Sequence, residues 1–222
     1  KEIFDFFLSH NIHFGVHPSV PVYDRDTMLD LTPDQYYVLF SEMFDYYLEN
    51  AKNIKLSSFD QMCSSVANGS GGVCTFKDCF GMFLAIDPLG DIYSCQRFNG
   101  NKEYCLGNVK YNPSIEKLIS SEAAKKLLHR EALLKNECYG CNHYEYCKGG
   151  CAYNALSSPV DNKDIYCDAY KKIFDDIRQR LYEEMISDEN QEAIAKHGPA
   201  NNGNPLLRVG EVTALTKEGT HP

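Results

Sequence analysis

Ile3, Phe6 and Phe7 recur at helical spacing between polar positions over residues 2–9, which predicts an amphipathic helix at the start of the chain. The stretch from Ile12 to Val22 is β-prone and runs into a Pro-containing loop, so a strand is predicted there. Thr32-Pro33-Asp34-Gln35 carries a helix-start signature: a hydroxyl cap, Pro at the first helical position and Gln three residues after the cap. Tyr36, Phe40, Met43 and Tyr47 then share one face of a predicted helix reaching about Asn50, and the run from Ile54 to Phe59 reads as a short strand. Helix, strand, helix, strand is the grammar of a parallel sheet covered by helices, so residues 1–62 read as the last part of a larger α/β domain.

The pattern changes from Cys63, where glycines gather (Gly69, Gly71, Gly72) and cysteines become frequent, and a domain boundary is predicted there. Two apolar runs, ending at Ile86 and Cys95, flank Asp87-Pro88-Leu89-Gly90. Pro pre-sets φ and Gly tolerates a positive φ, which predicts a β-hairpin that delivers Cys95 at its exit. A helix started by Pro113 and another from Ala123 to Leu134 are predicted next. Tyr170, Ile173, Phe174, Ile177, Leu181 and Met185 then form an apolar stripe on a closing helix, so the second domain is expected over residues 63–187. Residues 188–222 carry Gly, Pro, Asn and charge without periodicity and are expected to form a mobile tail.

Composition removes several classes. The 222 residues allow one large core or two small ones, and 43% hydrophobic with 24% charged residues is ordinary globular usage. Twenty-two basic against 31 acidic residues give a net charge of −9, and no Lys/Arg-rich run exists to track phosphates or an anionic membrane, so nucleic acid and membrane partners are not expected. The sequence contains no signal-peptide pattern, no apolar run long enough for a membrane span, and Lys1 in place of Met at its start. The expectation is a cytoplasmic protein cut at its N-terminus. In a reducing compartment ten cysteines point to metal and not to disulfides.

The spacing sharpens that. Cys138-x2-Cys141-x5-Cys147-x3-Cys151, followed by Cys167, offers five thiolates, more than one tetrahedral ion can use. Cys74, Cys79 and Cys95 add three, and 5 + 3 = 8 is the number that two 4Fe–4S clusters require. Cys79-x10-Gly90-x4-Cys95, the four-cysteine run and the final Cys167 together resemble the SPASM domain, the auxiliary-cluster domain of radical S-adenosylmethionine enzymes that mature peptides and enzymes. The resemblance covers Cys74 to Cys167. It implies a small α+β domain following the C-terminal part of a partial (β/α)6 barrel. Cys74, Cys79, Cys95 and Cys151 would hold a first auxiliary cluster, and Cys138, Cys141, Cys147 and Cys167 a second. Cys63 and Cys105 are read as small buried hydrophobes that could replace Cys74 as a ligand. Structural zinc is the rival metal reading, although its knuckles are usually spaced differently. His143, inside the Cys141–Cys147 loop, is read as a solvated or supporting residue and not as a ligand.

The family also binds a third cluster and S-adenosylmethionine through Cys-x3-Cys-x2-Cys. That triplet is absent: after Cys147-x3-Cys151, position 154 is Asn, so this chain alone is expected not to cleave S-adenosylmethionine. If residues 1–62 end a barrel, His17, Ser19, Ser57 and Ser58 lie at the ends of its strands, where α/β barrels place ligand-binding groups, and are weak cofactor-binding candidates. Gln96 follows Cys95, where the similar sulfatase-maturing enzymes carry an Asp base, and Gln accepts no proton near neutral pH. Gln96 and Arg97 are therefore weak catalytic candidates, Arg97 through a peptide carboxylate, with a surface ion pair as its ordinary role. The resemblance implies a maturase of a ribosomally made peptide, with a precursor peptide and a flavodoxin or ferredoxin donor as partners. A sulfatase-maturing, formylglycine-forming enzyme, a ferredoxin-like module and a zinc-bound interaction domain are the alternatives.

Overall fold

The computed structural model describes residues 1–19, 30–156 and 162–185, so the expected tail and the end of the Ile12–Val22 run lie outside the described residues. The described residues divide into two compact units, one of residues 1–19, 30–73 and 168–185, the other of residues 74–156 and 162–167.

In the first unit, α1 (Glu2–Ser9), α2 (Pro33–Asn50) and α3 (Ser57–Asn68) are joined by a single parallel bridge between Phe14 and Leu56. The start of α2 is the predicted capping box: the Gln35 amide donates to Thr32 Oγ1 (3.2 Å) and the Thr32 amide donates to Gln35 Oε1 (2.9 Å). The expected strand at Ile54–Phe59 is corrected. Leu56 makes the bridge and also caps α3, so the helix takes over at Ser57 and the parallel sheet shrinks to one rung. The core is aromatic: Phe40 meets Phe59 edge-on with centroids 4.6 Å apart, and Tyr36 meets Tyr170 at 6.0 Å. Tyr170, Ile173, Phe174 and Ile177 of α8 (Cys167–Met185) are all buried, as the apolar stripe predicted. The boundary expected at residue 63 falls inside α3, and the unit ends instead at Val73.

The second unit is built on an antiparallel sheet in the order β1 (Ala85–Ile86), β2 (Asp91–Tyr93), β3 (Cys105–Asn108). The predicted hairpin closes as expected: the Asp87 carboxylate accepts from the amides of Leu89 (2.9 Å) and Asp91 (3.0 Å). Gly90 has φ 84°, and a Cβ there would lie 2.8 Å from Val109 Cγ2, so both the turn and the close approach of the third strand require Gly. Helices α4 (Ile115–Ile119), capped by Ser114 and not started by Pro113, and α5 (Glu122–Glu137), capped by Ser121, pack on the sheet. Two small apolar clusters result. One joins Ile92, Leu106, Leu118, Ala123 and Ala124; the other joins Tyr93, Phe98, Leu127 and Ala152. Two one-turn helices, α6 (Tyr144–Cys147) and α7 (Ala152–Ala155), carry the later cysteines.

Candidate metal centre

None of the ten cysteines is in a disulfide. Cys79 lies after the short turn Cys74–Phe76, and Cys95 leaves β2 just before the turn Gln96–Phe98. Burial first, and then the neighbouring Cys151 thiol and Glu131, push the Cys79 thiol up to about 11; Cys74 is within the same electrostatic range. Cys95 packs in the apolar cluster that includes Ala152, the residue after Cys151. Cys147 answers to different neighbours. Its thiol is pushed up to about 12 by burial and then by Cys167, with Cys138 also contributing. Cys141 is tied into this turn, its amide donating to the Cys138 carbonyl (3.0 Å).

Cys151 is separated from Cys147 by a backbone device. Lys148, Gly149 and Gly150 all take positive φ (51°, 73° and 73°), reversing the chain between α6 and α7. A Cβ on Gly149 would lie 2.6 Å from Leu134 Cδ2, and one on Gly150 only 2.3 Å from Asp164 Cβ, so neither position can carry a side chain. Arg130, on α5, pins the reversal: its Nη2 donates to the carbonyls of Gly149 and Gly150 (3.1 Å each) and its Nε to that of Asn162 (2.7 Å). Asp164 is buried at 2% exposure, and burial raises its carboxyl above the ordinary range although three donors hold it. Those donors are the amides of Cys151 (2.9 Å) and Tyr166 (2.9 Å) and Asn154 Nδ2 (2.8 Å). The Cys167 amide donates to the Asp164 carbonyl (2.9 Å), so one residue braces the backbone of both late cysteines.

Arg97 is part-buried in this network. Its Nη1 donates to Asn154 Oδ1 (2.7 Å) and lies 3.5 Å from Cys151 Sγ, and its guanidinium stacks 4.5 Å from the Tyr153 ring centroid. Gln96 beside it is exposed. His143 is buried, with Nδ1 2.8 Å from the Tyr146 hydroxyl, which corrects the solvated reading and leaves the supporting one. Cys105 sits in β3 with its thiol on the Gly107 carbonyl (3.2 Å), and Cys63 lies in α3 of the first unit. His17 and Ser57 both face Gly15, where a Cβ would be 3.7 Å from His17 Nε2 and 2.9 Å from Ser57 Oγ. The Val16 amide donates to Ser58 Oγ (3.2 Å), so three of these four candidates gather beyond the Phe14–Leu56 bridge; Ser19 bonds instead to Asp30 (3.3 Å). Asn154, Asp164 and Arg130 carried no sequence signal of their own; the adjacent glycines at 149 and 150 were the one available hint. Among the described residues no three His, Cys, Asp or Glu side chains converge on a point that a single ion could fill.

The model of the SPASM iron–sulfur cluster-binding domain matches residues 74–142. The chain is 23% identical over 157 residues to a cysteine-type anaerobic sulfatase-maturating enzyme of Clostridium perfringens, covering 68% of this chain and 42% of the relative. It is 26% identical over 172 residues to a serine-type enzyme of Bacteroides thetaiotaomicron, covering 74% and 41%. It is 32% identical over 84 residues to the mycofactocin maturase MftC of Mycobacterium tuberculosis, covering 37% and 21%. The solved structure of native anSMEcpe with bound AdoMet shares the fold, with a TM-score of 0.67 and 20% identity over 83% of this chain and 52% of that one. The same protein with AdoMet and the Cp18Cys peptide gives 0.68 at 20% identity, over 82% and 52%. The chain thus spans about half or less of the length of each relative it matches.

Proposed function

We propose that this chain is the auxiliary-cluster portion of a radical S-adenosylmethionine enzyme that modifies a peptide or protein. Its eight ligands would be Cys74, Cys79, Cys95 and Cys151 for one 4Fe–4S cluster and Cys138, Cys141, Cys147 and Cys167 for the other. The observation that carries the reading is the chain reversal at Lys148, Gly149 and Gly150, three successive positive-φ residues between Cys147 and Cys151, which lets the two thiols serve different groups. Such interleaving suits two adjacent clusters, each iron taking one thiolate, better than one tetrahedral ion with a tight ligand shell. The all-thiol donor sets and the match to an iron–sulfur domain support it further.

When bound, the clusters supply one-electron carriage. The residues do the rest: Arg130 and Asp164 hold the chain reversal between Cys147 and Cys151, and an apolar cluster packs against Cys95. Full thiolate ligation leaves no iron open for a substrate thiolate, which favours electron relay over substrate ligation. In the intact protein, S-adenosylmethionine, a third cluster and a flavodoxin or ferredoxin donor complete the scheme. We assign His17, Ser57 and Ser58, which gather beyond the Phe14–Leu56 bridge, to the cofactor side of such a barrel. This chain alone lacks the Cys-x3-Cys-x2-Cys triplet, so it yields no 5′-deoxyadenosine with dithionite. Anaerobic reconstitution should give about eight irons and eight sulfides per chain, four of each per cluster. Stoichiometric zinc without iron–sulfur absorbance would overturn the assignment.

Two substrate classes divide the relatives. Gln96 after Cys95 favours maturation of a ribosomally made precursor peptide, whereas the longer alignments to sulfatase-maturating enzymes favour formylglycine formation. Mass spectrometry after incubating the intact protein with a Cys- or Ser-containing sulfatase peptide separates them. A formylglycine product selects the second.

A further inference from the structure

Arg97 was expected at a peptide carboxylate or in a surface ion pair; among the described residues its hydrogen-bond partners are Asn154 and Cys151. It lies part-buried, with Nη1 shared between Asn154 Oδ1 (2.7 Å) and Cys151 Sγ (3.5 Å), the latter within the range of a hydrogen bond to sulfur. Its plane is fixed from the other side by Tyr153, at 4.5 Å. Asn154 is fixed in turn, because its Nδ2 donates to the buried Asp164 carboxylate (2.8 Å), which leaves only Oδ1 to face the guanidinium. The chain Asp164, Asn154, Arg97 therefore ends in a rigid cation aimed at one sulfur.

We propose that Arg97 is a positioning residue that raises the reduction potential of the cluster held by Cys151 above the value it would otherwise have, with Asn154 setting its aim. The inference rests on the two-cluster reading above. A hydrogen bond and a fixed positive charge at a ligand sulfur stabilise the cluster with the extra electron more than the cluster without it. The step is reduction by one electron, with no bond or proton moved. Such an asymmetry would make the first cluster the preferred resting place for an electron shared between the two.

The test is an EPR-monitored dithionite titration of the intact, anaerobically reconstituted protein and its Arg97→Met, Arg97→Gln and Arg97→Lys variants, each first assayed for iron. The signal that a Cys151→Ala protein lacks should move to a more negative midpoint in the Met and Gln variants, and the Lys variant should recover part of the shift. The signal that a Cys167→Ala protein lacks should keep its midpoint. An unmoved first midpoint at full iron content overturns the proposal, as does an equal shift of both signals. Loss of the first cluster in all three variants also overturns it, because Arg97 would then be a structural support alone. A wild-type protein without iron–sulfur signals would instead overturn the cluster reading on which the proposal rests.

Discussion

Cys147 and Cys151 are close in sequence, yet their thiols keep different neighbours because three successive positive-φ residues turn the chain between them. Under the ligand assignment, Cys151→Ala should remove the cluster that Cys79 and Cys95 share and leave the other, while Cys167→Ala does the reverse. Mössbauer spectra in which both substitutions damage one cluster would refute the assignment. Cys63 behaves differently. Burial and the Asp60 carboxylate push its thiol from the ordinary 9.0 up to about 12, so it is protonated at pH 8 and a poor nucleophile. Because the folded value is the higher one, its contribution to stability is complete below about pH 9 and is lost as pH rises toward 12. Iodoacetamide at pH 8 should leave Cys63 unmodified in the native protein and label it after unfolding, as read by peptide mass spectrometry. The cysteine spacings are a signal in the sequence because, under the ligand assignment, ligation would constrain residue type. Asn154, Asp164 and Arg130 were not, because ordinary polar residues acquire their roles only from contacts made across the fold.

Glycine positions separate backbone strain from crowding at the level of elements. Gly140 has φ 78° and open space around it, so Gly140→Ala should cost about 1 kcal/mol from strain alone. Gly150 has φ 73° and no room beside Asp164, so Gly150→Ala should cost roughly 3 kcal/mol or more and displace Cys151. Chemical denaturation of the two variants checks the ratio, and equal costs would mean that Asp164 yields easily. Thr32→Ala removes a complete capping box and should destabilise α2 by about 1 kcal/mol. That box, the hairpin turn and the stripe of α8 were all legible, since each is written in local side-chain chemistry. β3 was not predicted, because Cys-Leu-Gly-Asn has little strand propensity and forms only by pairing with β2. The bridge at Leu56 was mistaken for a longer strand because an apolar run before a helix start looks the same in either case.

The two units of the molecule differ in what holds them. The first has a continuous aromatic core. The second has a small sheet, two modest apolar clusters and all eight proposed ligands, so metal would have to contribute much of its stability. Removing iron should therefore speed amide hydrogen exchange across residues 74–167 far more than in α2 and α3. Uniform loss of protection would show that the units do not fold independently. Under the ligand assignment, the pairing of Cys151 with the early cysteines also bears on how such a protein is made. An early group would then be complete only at residue 151, and a late group at residue 167. Cys74, Cys79 and Cys95 must wait, reduced and unmetallated, until more than fifty further residues have been synthesised. Under that assignment the first cluster could not take its full ligand set before the reversal at residues 148–150 has been made, so its loading should follow folding of that segment.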